Sequence, residues 1–96
     1  MGDSLFAKYG KHAKAGEVLF RAGDQGQEMF VIRSGSVRVY VESNGIEKTL
    51  AVMGPGDFLG ELAIVNDRPR TATAVVEEDA DLLVVGVRVM EEMIVH

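Results

Sequence analysis

Residues between positions 60 and 71 include side chains suited to binding a phosphorylated sugar. Gly60 has no side chain, so a ligand can approach its backbone closely. The guanidinium of Arg70 can bind two phosphate oxygens at once, and Thr71 adds a hydroxyl donor next to it. Glu61 can accept a hydrogen bond from a sugar hydroxyl, as an acidic residue does for ribose in dinucleotide-binding folds. An anion-binding group beside a hydroxyl acceptor indicates a site for a ribose phosphate.

The same residue types have simpler explanations. Glu61 and Arg70 could form a surface ion pair, which contributes about 0–1 kcal/mol. Thr71 could be an ordinary strand residue, because β-branched side chains favour strands. These alternatives stay open on the residue types alone, so the surrounding elements must decide between them.

The elements that position these residues are mostly strands. Residues 36–42 alternate apolar and polar side chains, the period-2 pattern of a half-buried strand. Further strands are predicted at 17–20, 29–32, 47–53, 71–76 and 82–85, with a break at Ser34-Gly35, a hairpin at Asn44-Gly45 and a turn over residues 77–79. Short helices are predicted at 3–9, 60–65 and 87–95. The 60–65 helix would present unpaired N–H groups, which favour an anion.

The sequence around these residues resembles a known family. The segment Phe58 to Ala72, with Gly60-Glu61-Leu62-Ala63-Ile64 followed by Arg70-Thr71-Ala72, is similar to the phosphate-binding cassette of cyclic nucleotide-binding domains of the catabolite activator and protein kinase A type. Leu59 departs from the Phe or Tyr that many members have before the glycine. Similar patterns at 16–24, 30–37 and 54–58 extend the resemblance over about residues 14–86.

The resemblance implies a mainly β fold, an eight-stranded β-roll (a jelly-roll-like double sheet) with short terminal helices and a short helix in the cassette. It implies that Glu61 accepts from the ribose 2′-OH and that Arg70 pairs with the cyclic phosphate. The other expected ligand-binding positions are Gly60, Leu62, Ala63, Thr71 and Ala72. More weakly, it implies that Val39, Val52 and Leu59 line the wall around the base and ribose.

Composition excludes several other classes. The 96 residues carry a net charge of −5, which argues against non-specific nucleic-acid binding. There is no cysteine and only two histidines, too few ligands for a metal-dependent cupin enzyme, and the lack of cysteine fits a cytoplasmic location. No apolar run is long enough to span a membrane. We therefore expect no catalytic residues, metal, cofactor, membrane or direct nucleic-acid contact.

The combined expectation is one cyclic nucleotide-binding domain over residues 1–96, with a C-terminal lid helix that is short or absent. It would be a non-catalytic sensor for cAMP, with cGMP as a second ligand, that regulates a partner or an attached domain. A homodimer or an effector protein would be the partner. The alternative is an interaction module of the same fold that has lost ligand binding.

Overall fold

The computed structural model describes one helix and six strands. It covers residues 2–26, 28–60 and 69–86, with side chains from residue 6 onward. The elements are α1 (Gly2–Tyr9), β1 (Gly10–Ala13), β2 (Val18–Phe20), β3 (Glu28–Ser43), β4 (Ile46–Met53), β5 (Phe58–Leu59) and β6 (Thr73–Gly86). The helices predicted at 60–65 and 87–95 lie almost wholly or wholly outside the described residues.

The two long strands β3 and β6 form the centre of an antiparallel sheet. The strand order is β1-β6-β3-β4, with β2 also paired to β6 and β5 also paired to β3. We call the β3–β6 pair the central ribbon. One end of it is flanked by β1 and β5, and the other end is flanked by β2 and β4. Irregular pairing between Ile32 and Val37 divides the ribbon into two arms. The mainly β fold class is confirmed, with six strands among the described residues.

Both predicted interruptions of the central strands are bends rather than ends. Ser34-Gly35 was expected to end one strand and residues 77–79 to form a turn, but β3 and β6 continue through both. Gly35 has φ +85°, and a Cβ there would lie 2.6 Å from the Cα of Ala80. The Ser36 hydroxyl donates to a Glu78 carboxylate oxygen at 3.0 Å. Glycine and polar residues are typical of turns, but here they let the two backbones bend together while they remain paired.

The core lies between the arms of the central ribbon. Its largest fully buried side chains are Ile32, Val37, Val76 and Leu82, two from β3 and two from β6. Val37 and Val76 are also direct cross-strand partners. The apolar face predicted for residues 36–42 therefore faces the interior, which fixes the register of the sheet because a one-residue slip would expose it.

The other sequence-predicted elements agree with the structure. The hairpin between β3 and β4 has Asn44 at φ 55° and Gly45 at φ 78°. These are the positive angles that an Asn-Gly hairpin turn requires. The N-terminal helix is present as α1. No helix among the described ranges is long and apolar enough to cross a membrane.

Candidate functional site

Arg70 joins the segment before β6 to the loop between β2 and β3. Its N–H donates to the Asp24 carbonyl at 2.8 Å, and its own carbonyl accepts from the Gly23 N–H at 2.7 Å. Close by, the Thr73 hydroxyl oxygen accepts from the Ala22 N–H at 3.0 Å. These contacts hold the backbone of Arg70 against a loop that is distant in sequence, and they fix the position of the Cα atom from which its side chain extends.

The guanidinium of Arg70 is buried and only partly satisfied. The residue is 7% exposed. Nη1 donates to the Gly60 carbonyl at 3.2 Å, and Nη2 donates to the Glu28 carbonyl at 2.8 Å. Nε is buried and has no hydrogen-bond partner among the described residues. Because a guanidinium has five N–H donors, it retains the capacity to bind an anion.

Arg70 carries a desolvated positive charge close to two carboxylates. Burial lowers the pKa of the Arg70 guanidinium below its ordinary value, and the charges of Glu28 and Asp24 partly oppose that shift. An arginine stays protonated at neutral pH despite such a shift. The site therefore contains a desolvated positive charge, which an anionic ligand would stabilise.

An aromatic ring covers the guanidinium. The guanidinium carbon of Arg70 lies 4.3 Å from the centre of the Phe20 ring. The Phe20 ring in turn lies 5.9 Å from the ring of Phe30, which belongs to the core. This stack connects the charged group directly to the packed interior.

Gly26 and Gly60 have no side chains, and this provides the space that the Arg70 guanidinium occupies. A Cβ on Gly60, which has φ +91°, would lie 2.5 Å from Nη1 of Arg70 and 2.9 Å from the Glu28 carbonyl oxygen. A Cβ on Gly26 would lie 2.6 Å from Nη2. Sequence reasoning assigned Gly60 to a close approach of the ligand, whereas the structure adds a second reason, the close approach of Arg70 itself.

The remaining sequence-predicted site residues have different placements. Thr71 is exposed beside Arg70, and Ala72 is buried. Glu61, Leu62 and Ala63 lie outside the described residues. The structure thus brings Gly60 and Arg70 into direct contact and places Thr71 and Ala72 next to them in the chain.

The predicted base wall does not form as one surface. Val52 is the cross-strand partner of Arg38, and Val39 is the partner of Ala51. Because neighbouring residues of a strand point to opposite faces, Val39 and Val52 lie on opposite faces of the sheet. Val52 is 58% exposed and Leu59 is 5% exposed. The prediction that these residues line one wall is therefore wrong for Val52, because the local sequence did not reveal the bulge in β4 that sets its face.

Sequence reasoning missed three contributors to the Arg70 site. The carbonyls of Asp24 and Glu28 could not be found from residue types, because every residue has a backbone carbonyl. Phe20 had a weak signal, an aromatic residue just before the Gly23-Asp24 turn, but its position in a strand suggested only core packing.

Comparison with known proteins identifies the family. The sequence pattern of the cyclic nucleotide-binding domain matches residues 10–96. This chain belongs to the cyclic nucleotide-binding domain family. The match includes β1 to β6 and every residue of the Arg70 site.

Individual relatives agree with this assignment. The domain is 47% identical over 68 residues to human Rap guanine nucleotide exchange factor 3, covering 71% of this chain and 7% of that protein. It is 41% identical over 69 residues to the cyclic AMP receptor protein of Thermus thermophilus, covering 71% of this chain and 32% of the relative. The regulatory domain of Toxoplasma gondii PKA, in a co-crystal structure with cAMP, superposes with a TM-score of 0.83 at 30% identity, covering 94% of this chain and 35% of that one. The chain thus spans a third or less of the length of these two sequence relatives.

Proposed function

We propose that this domain is a non-catalytic sensor that binds a cyclic nucleotide, with cAMP preferred over cGMP. The observation that carries the proposal is the buried guanidinium of Arg70, whose Nε has no partner among the described residues. A cyclic phosphate carries a single negative charge and presents two free oxygens, which suit the remaining donors of a guanidinium. The names of the relatives support cAMP, since one is a cyclic AMP receptor protein and another was crystallised with cAMP.

The other predicted residues complete the proposed site. Glu61 would accept a hydrogen bond from the ribose 2′-OH. The backbone N–H groups of Leu62, Ala63 and Thr71 or Ala72 would donate to the phosphate, as the family resemblance implies. The bound state would be read by an attached domain, an effector protein or a second copy.

The Arg70 contacts would supply a substantial part of a micromolar affinity. A micromolar complex requires about −8.2 kcal/mol. Hydrogen bonds to charged groups contribute about 1.5–3 kcal/mol each, so two bonds from the Arg70 guanidinium would supply a substantial part. The ribose, backbone and base contacts would supply the remainder and offset the entropy lost on binding.

Isothermal titration tests the proposed function. The full chain is titrated with cAMP, cGMP and 5′-AMP in parallel. We expect a micromolar or tighter Kd for cAMP, weaker binding of cGMP, and no heat from 5′-AMP, because its phosphate is not held in a ring with the ribose. An absence of binding to both cyclic nucleotides by a folded sample would contradict the proposal and favour an interaction module that has lost its ligand.

A second prediction concerns Gly60. Replacing it by alanine places a Cβ 2.5 Å from Nη1 of Arg70, so the guanidinium must move. We expect cAMP affinity to fall about tenfold or more, equivalent to at least ~1.4 kcal/mol. Gly56→Ala is the matched control, because Gly56 has the same φ of +91° and its Cβ would meet nothing within 4 Å.

The two alanine variants separate backbone strain from displacement of Arg70. Both impose a left-handed conformation on alanine, which costs about 1–2 kcal/mol of stability. Only Gly60→Ala should also weaken nucleotide binding, measured by titration at a temperature where both variants are folded. Equal affinities for the two variants would show that contact between Gly60 and Arg70 has no part in binding.

A further inference from the structure

We infer that Phe20 is a positioning residue for the anion site and that it sets ligand affinity by holding the plane of the Arg70 guanidinium. The inference rests on the proposed function. Phe20 lies in β2, 50 positions before Arg70 in the sequence, and nothing in the phosphate-binding cassette itself specifies it. Its role follows from the way the guanidinium is held on several sides.

The edges of the guanidinium are held by backbone atoms. The Gly60 carbonyl, at the end of β5, accepts from Nη1, and the Glu28 carbonyl, at the start of β3, accepts from Nη2. Two in-plane hydrogen bonds still allow the planar group to tilt about the line that joins them. The guanidinium carbon lies over the Phe20 ring, 4.3 Å from its centre, and this contact opposes that tilt.

The hydrophobic core holds the Phe20 ring in place. Phe20 is partly buried and packs on the core cluster, and its ring meets Phe30 at 5.9 Å with an interplanar angle of 30°. Phe30 is 5% exposed and part of that cluster. Core packing therefore fixes the position of the Phe20 ring, and the ring in turn restricts the motion of the Arg70 guanidinium.

An aromatic ring is chemically suited to an arginine that must bind an anion. The ring face attracts the cation through its quadrupole, yet it takes up none of the N–H donors. A carboxylate in the same place would hold the guanidinium equally well, but it would occupy N–H donors and repel a phosphate. Phe20 therefore stabilises the buried cation and leaves Nε available.

The test compares variants of two phenylalanines that each lie against an arginine. Phe20→Leu removes the ring from the Arg70 guanidinium, whereas Phe6→Leu removes a ring of the same size from the guanidinium of Arg33, which lies 4.9 Å from the centre of the Phe6 ring and outside the site. We expect Phe20→Leu to weaken cAMP binding about 5- to 30-fold, which corresponds to a partly desolvated cation–π contact. Phe6→Leu should change the affinity less than about threefold, and Phe20→Tyr, which keeps the ring face, should restore affinity to within about threefold of the wild type.

A spectroscopic measurement distinguishes positioning from general loosening of the core. In the ligand-free protein labelled with ¹⁵N, the Arg70 Nε–H resonance should carry a ring-current shift. That shift should disappear in Phe20→Leu and persist in Phe6→Leu and Phe20→Tyr. Thermal unfolding of each variant establishes the temperature at which all four proteins are folded for the titrations.

The outcomes separate this inference from the proposed function. If the wild type binds cAMP and Phe20→Leu binds it as well as Phe6→Leu does, the inference is wrong and the proposed function stands. An unchanged Nε–H resonance in Phe20→Leu would overturn the inference in the same way. If the wild type binds neither cyclic nucleotide, the proposed function fails and the role of Phe20 in affinity fails with it.

Discussion

Arg70→Ala is expected to lose most of the affinity for cyclic nucleotides while the chain still folds. The substitution removes the buried guanidinium that would bind the phosphate. If two charged hydrogen bonds are lost at about 1.5–3 kcal/mol each, the affinity falls by roughly 10²- to 10⁴-fold. Titration with cAMP measures the loss.

The same substitution should also lower stability, but modestly. Arg70 donates to the carbonyls of Gly60 and Glu28, and alanine leaves both without this partner. It also removes a desolvated charge, whose burial lowers the pKa of Arg70, so part of the cost is recovered. We expect the free energy of unfolding to fall by about 1–3 kcal/mol, measured by urea denaturation.

Two controls establish that the effect belongs to the site. Arg38→Ala also removes a partly buried arginine, one that pairs with Glu47 and Glu77 and stacks on Tyr40 at 4.5 Å. Its cross-strand neighbour Val52 is on the exposed face of the sheet, so the affinity of this variant should stay within about threefold of the wild type. Arg70→Lys keeps a positive charge but loses the planar fork, and should bind much more weakly than the wild type. Full affinity in Arg70→Ala would show that the phosphate is bound elsewhere.

Gly35→Ala is expected to destabilise the domain strongly. Gly35 has φ +85°, and its Cβ would lie 2.6 Å from the Cα and 2.8 Å from the Cβ of Ala80. Backbone strain costs about 1–2 kcal/mol and overpacking about 1–3 kcal/mol, so we expect a total loss of roughly 2–5 kcal/mol. For a domain whose whole stability is about 5–15 kcal/mol, that loss is a large fraction of the free energy of unfolding.

Gly45→Ala is the matched control for this prediction. Gly45 has a similar φ of +78°, but a Cβ there would meet nothing within 4 Å. It should therefore show the strain alone, about 1–2 kcal/mol. Urea denaturation of both variants measures the difference. Equal losses of stability would mean that the bend of β3 against β6 relaxes easily, contrary to the close contact seen here.

The local sequence was sufficient to predict the mainly β fold and to identify Arg70 as the charged residue of the site. Period-2 alternation in residues 36–42 identified the buried face of β3, and Asn44-Gly45 identified the hairpin. The order of residues around Arg70 indicated the family that residues 10–96 match. These features could be predicted because each depends on residues close together in the chain.

Only the tertiary structure determined how the central strands run and how Arg70 is held. Gly35 and residues 77–79 have the composition of turns, but the pairing of β3 with β6 carries both strands through as bends. The partners of Arg70 are equally distant, since Glu28 lies 42 positions away and offers only a carbonyl, and Phe20 comes from another strand. Sequence patterns report local conformation and burial, whereas these contacts depend on which distant segments the folded sheet brings together. The local sequence therefore identifies the charged group that would bind the ligand, whereas the tertiary structure determines how that group is oriented.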